Sequence, residues 1–140
     1  MSLVFWDTNL FIYYLEDRGA RADRVQQIRE RMLARDDQLV TSCLTLGEVL
    51  VKPKRDRRPD LVASYKTILT EHARLIPFDR SVAGLYAEIR QGRRIKAPDA
   101  IKLACAAHAG VDLFITNDER LSREVVPGIQ FITSLDRAFL

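Results

Sequence analysis

Cysteine and histidine are scarce in this 140-residue chain, with two of each. Cys43 and Cys105 lie far apart and in no CxxC spacing, so both are expected as buried, reduced thiols. His72 and His108 are isolated, which leaves little from which to build a zinc centre or a Ser-His-Asp triad. No apolar run approaches the roughly 20 residues that a membrane span needs, so no membrane partner is expected. Met1 to Asp7 has no basic lead and meets an acid early, unlike an export signal, and a cytoplasmic location is the default expectation. Repeats, low-complexity tracts and interdomain linkers are also missing.

What is present suits a folded core. Hydrophobic residues make up 47% of the chain, and its length fits one domain over residues 1–140. The formal charge of +3 permits a nucleic-acid partner without demanding one. The basic residues gather in two places, Lys52, Lys54, Arg55, Arg57 and Arg58, and then Arg93, Arg94 and Lys96. Both groups are candidate phosphate contacts, and both can equally be read as solvated loop charges.

Short apolar runs alternate with longer helical patterns. Leu3–Trp6, Leu39–Thr41, Leu75–Phe78, Leu113–Thr116 and Ile129–Ile132 read as strands. Helices are expected from Leu10, over 20–35, after Ser42, from Pro59 to about Ala73, over 81–91 and from Pro98 to Ala109. Pro53 is expected to end the third of these, leaving Lys52–Pro59 as a basic loop. Gly92 and Gly110 read as helix stops. The alternation predicts an α/β fold with a mainly parallel sheet of 4–5 short strands covered on both faces. In such sheets, sites form beyond the carboxyl ends of the strands.

Acids fall at those ends. Asp7 follows the first strand, Asp118 follows the Leu113–Thr116 strand, and Asp99 sits in the first turn of a helix. Each has an ordinary reading as a helix cap, a turn residue or a dipole partner. Glu48 is less ordinary, because Leu44, Leu46, Val49, Leu50 and Val51 surround it. A buried carboxylate without a partner is costly, and a metal ion is one way to remove that cost. Four carboxylates converging on one mouth would raise each other's pKa, and hard divalent cations relieve such repulsion. An all-oxygen ligand set favours magnesium or manganese over zinc.

Four stretches resemble the PIN-domain nucleases, and among them the VapC-type toxins of toxin–antitoxin pairs. They are Phe5-Trp6-Asp7-Thr8-Asn9, Thr41 to Val49, Ala97-Pro98-Asp99-Ala100-Ile101 and Phe114-Ile115-Thr116-Asn117-Asp118. Each is weak alone; the four in order cover nearly the whole chain. The resemblance implies a three-layer α/β/α sandwich and a ribonuclease using one or two magnesium or manganese ions. It implies metal-binding and catalytic roles for Asp7, Glu48, Asp99 and Asp118, with Thr8, Asn9, Thr116 and Asn117 in support. A cognate antitoxin and a homodimer are implied as partners, with RNA as substrate. The chain would then be the toxin of a type II pair; a non-toxin RNA-processing nuclease and a non-catalytic RNA- or partner-binding module are the alternatives.

Asp7 and Asp99 are expected as direct ligands, with Glu48 ligating or orienting water and Asp118 holding a second ion. Two ions roughly 3.5–4 Å apart can clamp an in-line displacement. Lys52, Lys54, Arg55, Arg93, Arg94 and Lys96 are the candidate RNA contacts. Trp6, Phe11, Tyr13 and Tyr14 have the spacing of core or dimer packing rather than base stacking. An aspartyl-phosphate phosphatase would want an acid where Asn9 stands. A phosphate-accepting receiver would want an acidic pair after the first strand and a lysine after a late one; here only Asp7 follows that strand and no lysine occurs after residue 102.

Overall fold

A computed structural model describes residues 1–16, 19–92 and 94–138. Five parallel strands form one sheet: β1 (Leu3–Trp6), β2 (Gln38–Ser42), β3 (Arg74–Ile76), β4 (Leu113–Thr116) and β5 (Phe131–Ser134), in the order β3-β2-β1-β4-β5. The helices are α1 (Thr8–Glu16), α2 (Gly19–Arg35), α3 (Cys43–Arg55), α4 (Pro59–His72), α5 (Arg80–Arg90) and α6 (Ala97–Ala109). None of the described helices is long and apolar enough to cross a membrane.

Strand side chains alternate between faces, so the central strand feeds two cores. Val4 and Trp6 of β1 pack among Leu10, Phe11, Val25, Ile28, Met32, Val49 and Leu69, the layer formed by α1 to α4. Phe5 points the other way and stacks on Phe114 with ring centroids 4.6 Å apart, beneath Val82, Ile89, Leu103 and Ala104 of α5 and α6. The three-layer α/β/α expectation is therefore met. Ala100, Ala104, Cys105 and Ala106 of α6 are fully buried, and their small side chains let the helix lie close to the sheet.

Local chemistry sets most boundaries. Ser42 caps α3 by accepting a hydrogen bond from the Leu44 N–H at 2.9 Å. Pro98 opens α6, and Gly110 at φ 67° closes it in the left-handed conformation.

Four expectations need correction. Pro53 does not end α3, which continues to Arg55; Pro53 is buried in the last turn, where its ring costs the helix one N–H bond without stopping it. Lys52, Lys54 and Arg55 therefore ride on a helix terminus, where their charge suits the dipole, rather than in a loop. The last strand is Phe131–Ser134, because Ile129 is consumed by a turn and plugs the α5–α6 core. Cys43 is exposed, as the first residue of a capped helix, and only Cys105 is buried.

Candidate metal centre at the carboxyl end of the sheet

Parallel strands present their carboxyl ends together, and here that edge collects acids from four elements. Asp7 closes β1, Glu48 lies one and a half turns into α3, Asp99 is in the first turn of α6 and Asp118 follows β4. Asp7 is the most tightly held. Its Oδ1 accepts the Thr8 N–H at 2.8 Å and its Oδ2 accepts the Thr116 hydroxyl at 2.7 Å, and the residue is only 4% exposed. Thr116 also accepts the Asp118 N–H at 3.1 Å, which ties the β4 end to Asp7. Asp118 Oδ1 caps the following turn, accepting from the N–H groups of Arg120 at 2.9 Å and Leu121 at 3.2 Å. The turn reading of Asp118 and its place beside the other acids are thus both true.

The residue that joins these acids was not anticipated. Lys102, one turn beyond Asp99 on α6, is 4% exposed. Its Nζ lies 2.9 Å from Asp7 Oδ1, 3.1 Å from Glu48 Oε1 and 3.8 Å from Asp99 Oδ1. Thr8 completes the group, donating to Glu48 Oε1 at 2.6 Å and accepting from Lys102 at 3.4 Å. The signal for Lys102 was in the sequence, as a single charge in Ala-Ile-Lys-Leu-Ala-Cys-Ala-Ala, three residues after an acid. It is the same anomaly that drew attention to Glu48.

Electrostatics follow from this geometry. Burial works against the Lys102 charge, but Asp7 and Glu48 outweigh it and raise its pKa above the ordinary lysine value. Asp99 moves up as well. Burial is the largest cause, Lys102 opposes it, and the charges of Asp7, Asp118 and Glu48 add to it. Each of the other three acids therefore acts on Asp99. Among the described residues, no three His, Cys, Asp or Glu side chains stand around one point as a metal would require. Between Asp7 and Glu48 the Lys102 ammonium holds the space. The donor set nonetheless fits a hard divalent ion, being carboxylate oxygen with no nearby sulfur or imidazole. Asp99 is the member placed to complete it, since its carboxylate is one quarter exposed and accepts no hydrogen bond among the described residues.

The predicted supporting residues divide. Thr8 and Thr116 bind the acids directly. Asn117 instead donates to the Tyr13 hydroxyl at 2.9 Å, and Asn9 is exposed with its side chain in none of these bonds. Of the basic residues, Arg94 and Lys96 are exposed on the segment leading to Asp99. Arg93 lies outside the described residues. Lys52, Lys54 and Arg55 are exposed along α3, with Lys52 3.5 Å from Glu16 and Arg55 4.0 Å from Asp56. Such surface pairs are worth little and can be exchanged. Trp6 and Phe11 are core residues, as their spacing implied.

The sequence profile of the PIN domain matches residues 4–124, a span that holds all four acids and Lys102. The chain belongs to the PIN domain family. Solved PIN-fold structures superpose on it at low identity. The VapBC2 complex of Rickettsia felis, bound to a DNA fragment of its promoter, matches with a TM-score of 0.75 and 18% identity over 94% of this chain and 98% of its own. The DNA-bound VapBC of Salmonella typhimurium gives 0.72 and 21% over 96% and 99%. VapC20 of Mycobacterium tuberculosis, described as a toxin cleaving the sarcin-ricin loop, gives 0.64 and 20% over 89% and 99%. At such identities these likenesses speak for the fold. Among curated proteins, none matches the chain in sequence.

Proposed function

We propose that this PIN domain, acting as one unit over residues 1–140, is a divalent-metal-dependent endoribonuclease and the toxin of a type II toxin–antitoxin pair. The observation that carries the reading is the convergence of Asp7, Glu48, Asp99 and Asp118, from four separate elements, on one mouth of the sheet. A merely structural set of acids would have no cause to accumulate where they repel one another. The toxin assignment draws support from the toxin–antitoxin neighbours, which match over nearly their full length. An antitoxin partner, a homodimer and a cytoplasmic setting belong to the same proposal.

Asp7, Asp99 and Asp118 would hold magnesium or manganese, with Glu48 linked to Asp7 through Lys102. A bound ion supplies an acidified water and shields the charge of the phosphate. The chain's own groups do the rest. Thr116 and the Thr8 N–H fix both oxygens of Asp7, so its geometry is set before substrate arrives. Glu48, partly exposed and directed by Thr8, can orient or deprotonate water. Arg94 and Lys96 stand ahead of Asp99 to meet phosphates. Lys52 and Arg58 line a groove of about 630 Å³ that also contains Glu48, which would give an RNA strand a path to that acid.

One observation favours a non-catalytic RNA- or partner-binding module. Lys102 already satisfies Asp7 and Glu48, as a purely structural ion pair would. A cleavage assay on single-stranded and structured RNA, with magnesium or manganese and with chelator, separates the two readings. Metal-dependent cutting that Asp99→Ala abolishes supports the nuclease. Binding without cutting under every metal condition refutes it.

A further inference from the structure

The acids at the sheet mouth are not equivalent. Asp7 Oδ1 and Glu48 Oε1 face each other across Lys102 Nζ, at 2.9 and 3.1 Å. Thr8 fills the remaining side of that gap through its bonds to Glu48 and Lys102. Asp7 Oδ1 also accepts the Thr8 N–H, so it is fully engaged. The remaining acid oxygens are less fully engaged. Asp7 Oδ2 has one partner, Thr116; Asp118 spends one oxygen on backbone N–H groups; and Asp99 meets Lys102 only at 3.8 Å.

We propose that the Lys102 ammonium is a built-in substitute for one metal ion, so that this chain takes a single divalent cation. The inference rests on the metal-nuclease reading and narrows it. Four carboxylates carry four negative charges. Lys102 reduces them to three, and one divalent ion leaves one. A second ion would have to enter the space that Nζ occupies, between the same two oxygens, and would meet a fixed cation within contact distance. The lysine is not free to yield. The residue is only 4% exposed, and its ammonium is engaged by Asp7, Glu48 and Thr8 at once. The side chain therefore positions Asp7 and Glu48 as an ion would, without the acidified water that an ion brings.

Manganese binding to the full-length chain, counted by titration calorimetry and by electron paramagnetic resonance, tests this without reference to cleavage. Wild-type protein is expected to bind one Mn²⁺ per chain. Lys102→Met, which vacates the gap, is expected to bind two, and Lys102→Arg, which keeps a cation there, one. Two ions in the wild type overturn the inference while leaving the nuclease reading intact, and this count stands even if Lys102→Met fails to fold. A single ion in a folded Lys102→Met also overturns it, since the lysine then excludes nothing. No Mn²⁺ in the wild type, with no metal-dependent cutting of RNA, strikes the parent reading and this one with it.

Discussion

At the amino end of the sheet, Asp37 and Asp112 are each fastened to backbone. Asp37 Oδ1 accepts the Ser2 N–H at 2.8 Å, and Asp112 Oδ2 accepts the Leu3 N–H at 2.8 Å, so both acids tie down the start of β1. At the carboxyl end, three acids share one buried lysine with Asp118 near them, and Asp99 holds its proton more tightly than an ordinary aspartate. One edge spends carboxylates one by one on the fold. The other accumulates them beyond what the fold needs. Strain of that kind is what a functional site stores and a structural one removes.

Substitutions at the two ends should therefore fail differently. The largest effect is expected from Asp7→Asn, which should lower RNA cleavage by roughly 10³-fold, the range seen when a preorganised electrostatic group is lost, with an unchanged circular-dichroism spectrum. Cutting at the wild-type rate would erase the distinction between the ends. Thr116→Val leaves every acid in place and frees Asp7 Oδ2; it should weaken manganese binding by about 10–100-fold, as outer partners of metal ligands do. Unaltered affinity would make Thr116 only a core hydroxyl.

At the other end, Asp112→Ala should cost about 1.5–3 kcal/mol of stability, the worth of a hydrogen bond to a charged group, with specific activity retained. A loss of cleavage in correctly folded protein would show that the amino edge is not simply structural. The smallest effect concerns Asp99. Its folded pKa lies above the ordinary 3.8, so between those two values the folded chain binds more protons than the unfolded chain. Stability contributed by the protonated form is present below the ordinary value and is lost as pH rises through the folded one. Metal-free wild type should therefore lose melting temperature across that window, while Asp99→Asn should lose less and lie above it at neutral pH. Parallel melting curves for the two proteins would deny the crowding at the mouth.

Much of this arrangement could be read from the chain. The strand–helix alternation gave the parallel sheet, because a strand buried on both faces must be an apolar run and its return path must be a helix. Asp7, Asp99 and Asp118 were legible by position, since each abuts a strand end or a helix start, and Glu48 as a lone charge among apolar neighbours on α3. Lys102 was not, because it belongs to no turn or cap and its meaning depends on which face of α6 meets Asp7, a fact of packing rather than spacing. Pro53 misled for a related reason. Proline removes one helical bond, and its burial in the last turn of α3 compensates for that loss. The side chains of Asn9 and Asn117 stood in the right motifs, yet Asn117 turned to Tyr13 and Asn9 to solvent, choices that sequence order does not encode.

The alanines of α6 bear on all of this. Ala100 and Ala104 are wholly enclosed against the sheet, and Asp99 and Lys102 project from the same two turns. The distance from their heads to Asp7 is thus governed by the thickness of the helix's underside. A bulkier residue at 104 would act as a shim, lifting acid and lysine together and opening the mouth without touching a single charged group. The spacing of the polar cluster is in effect gauged by methyl groups in the interior.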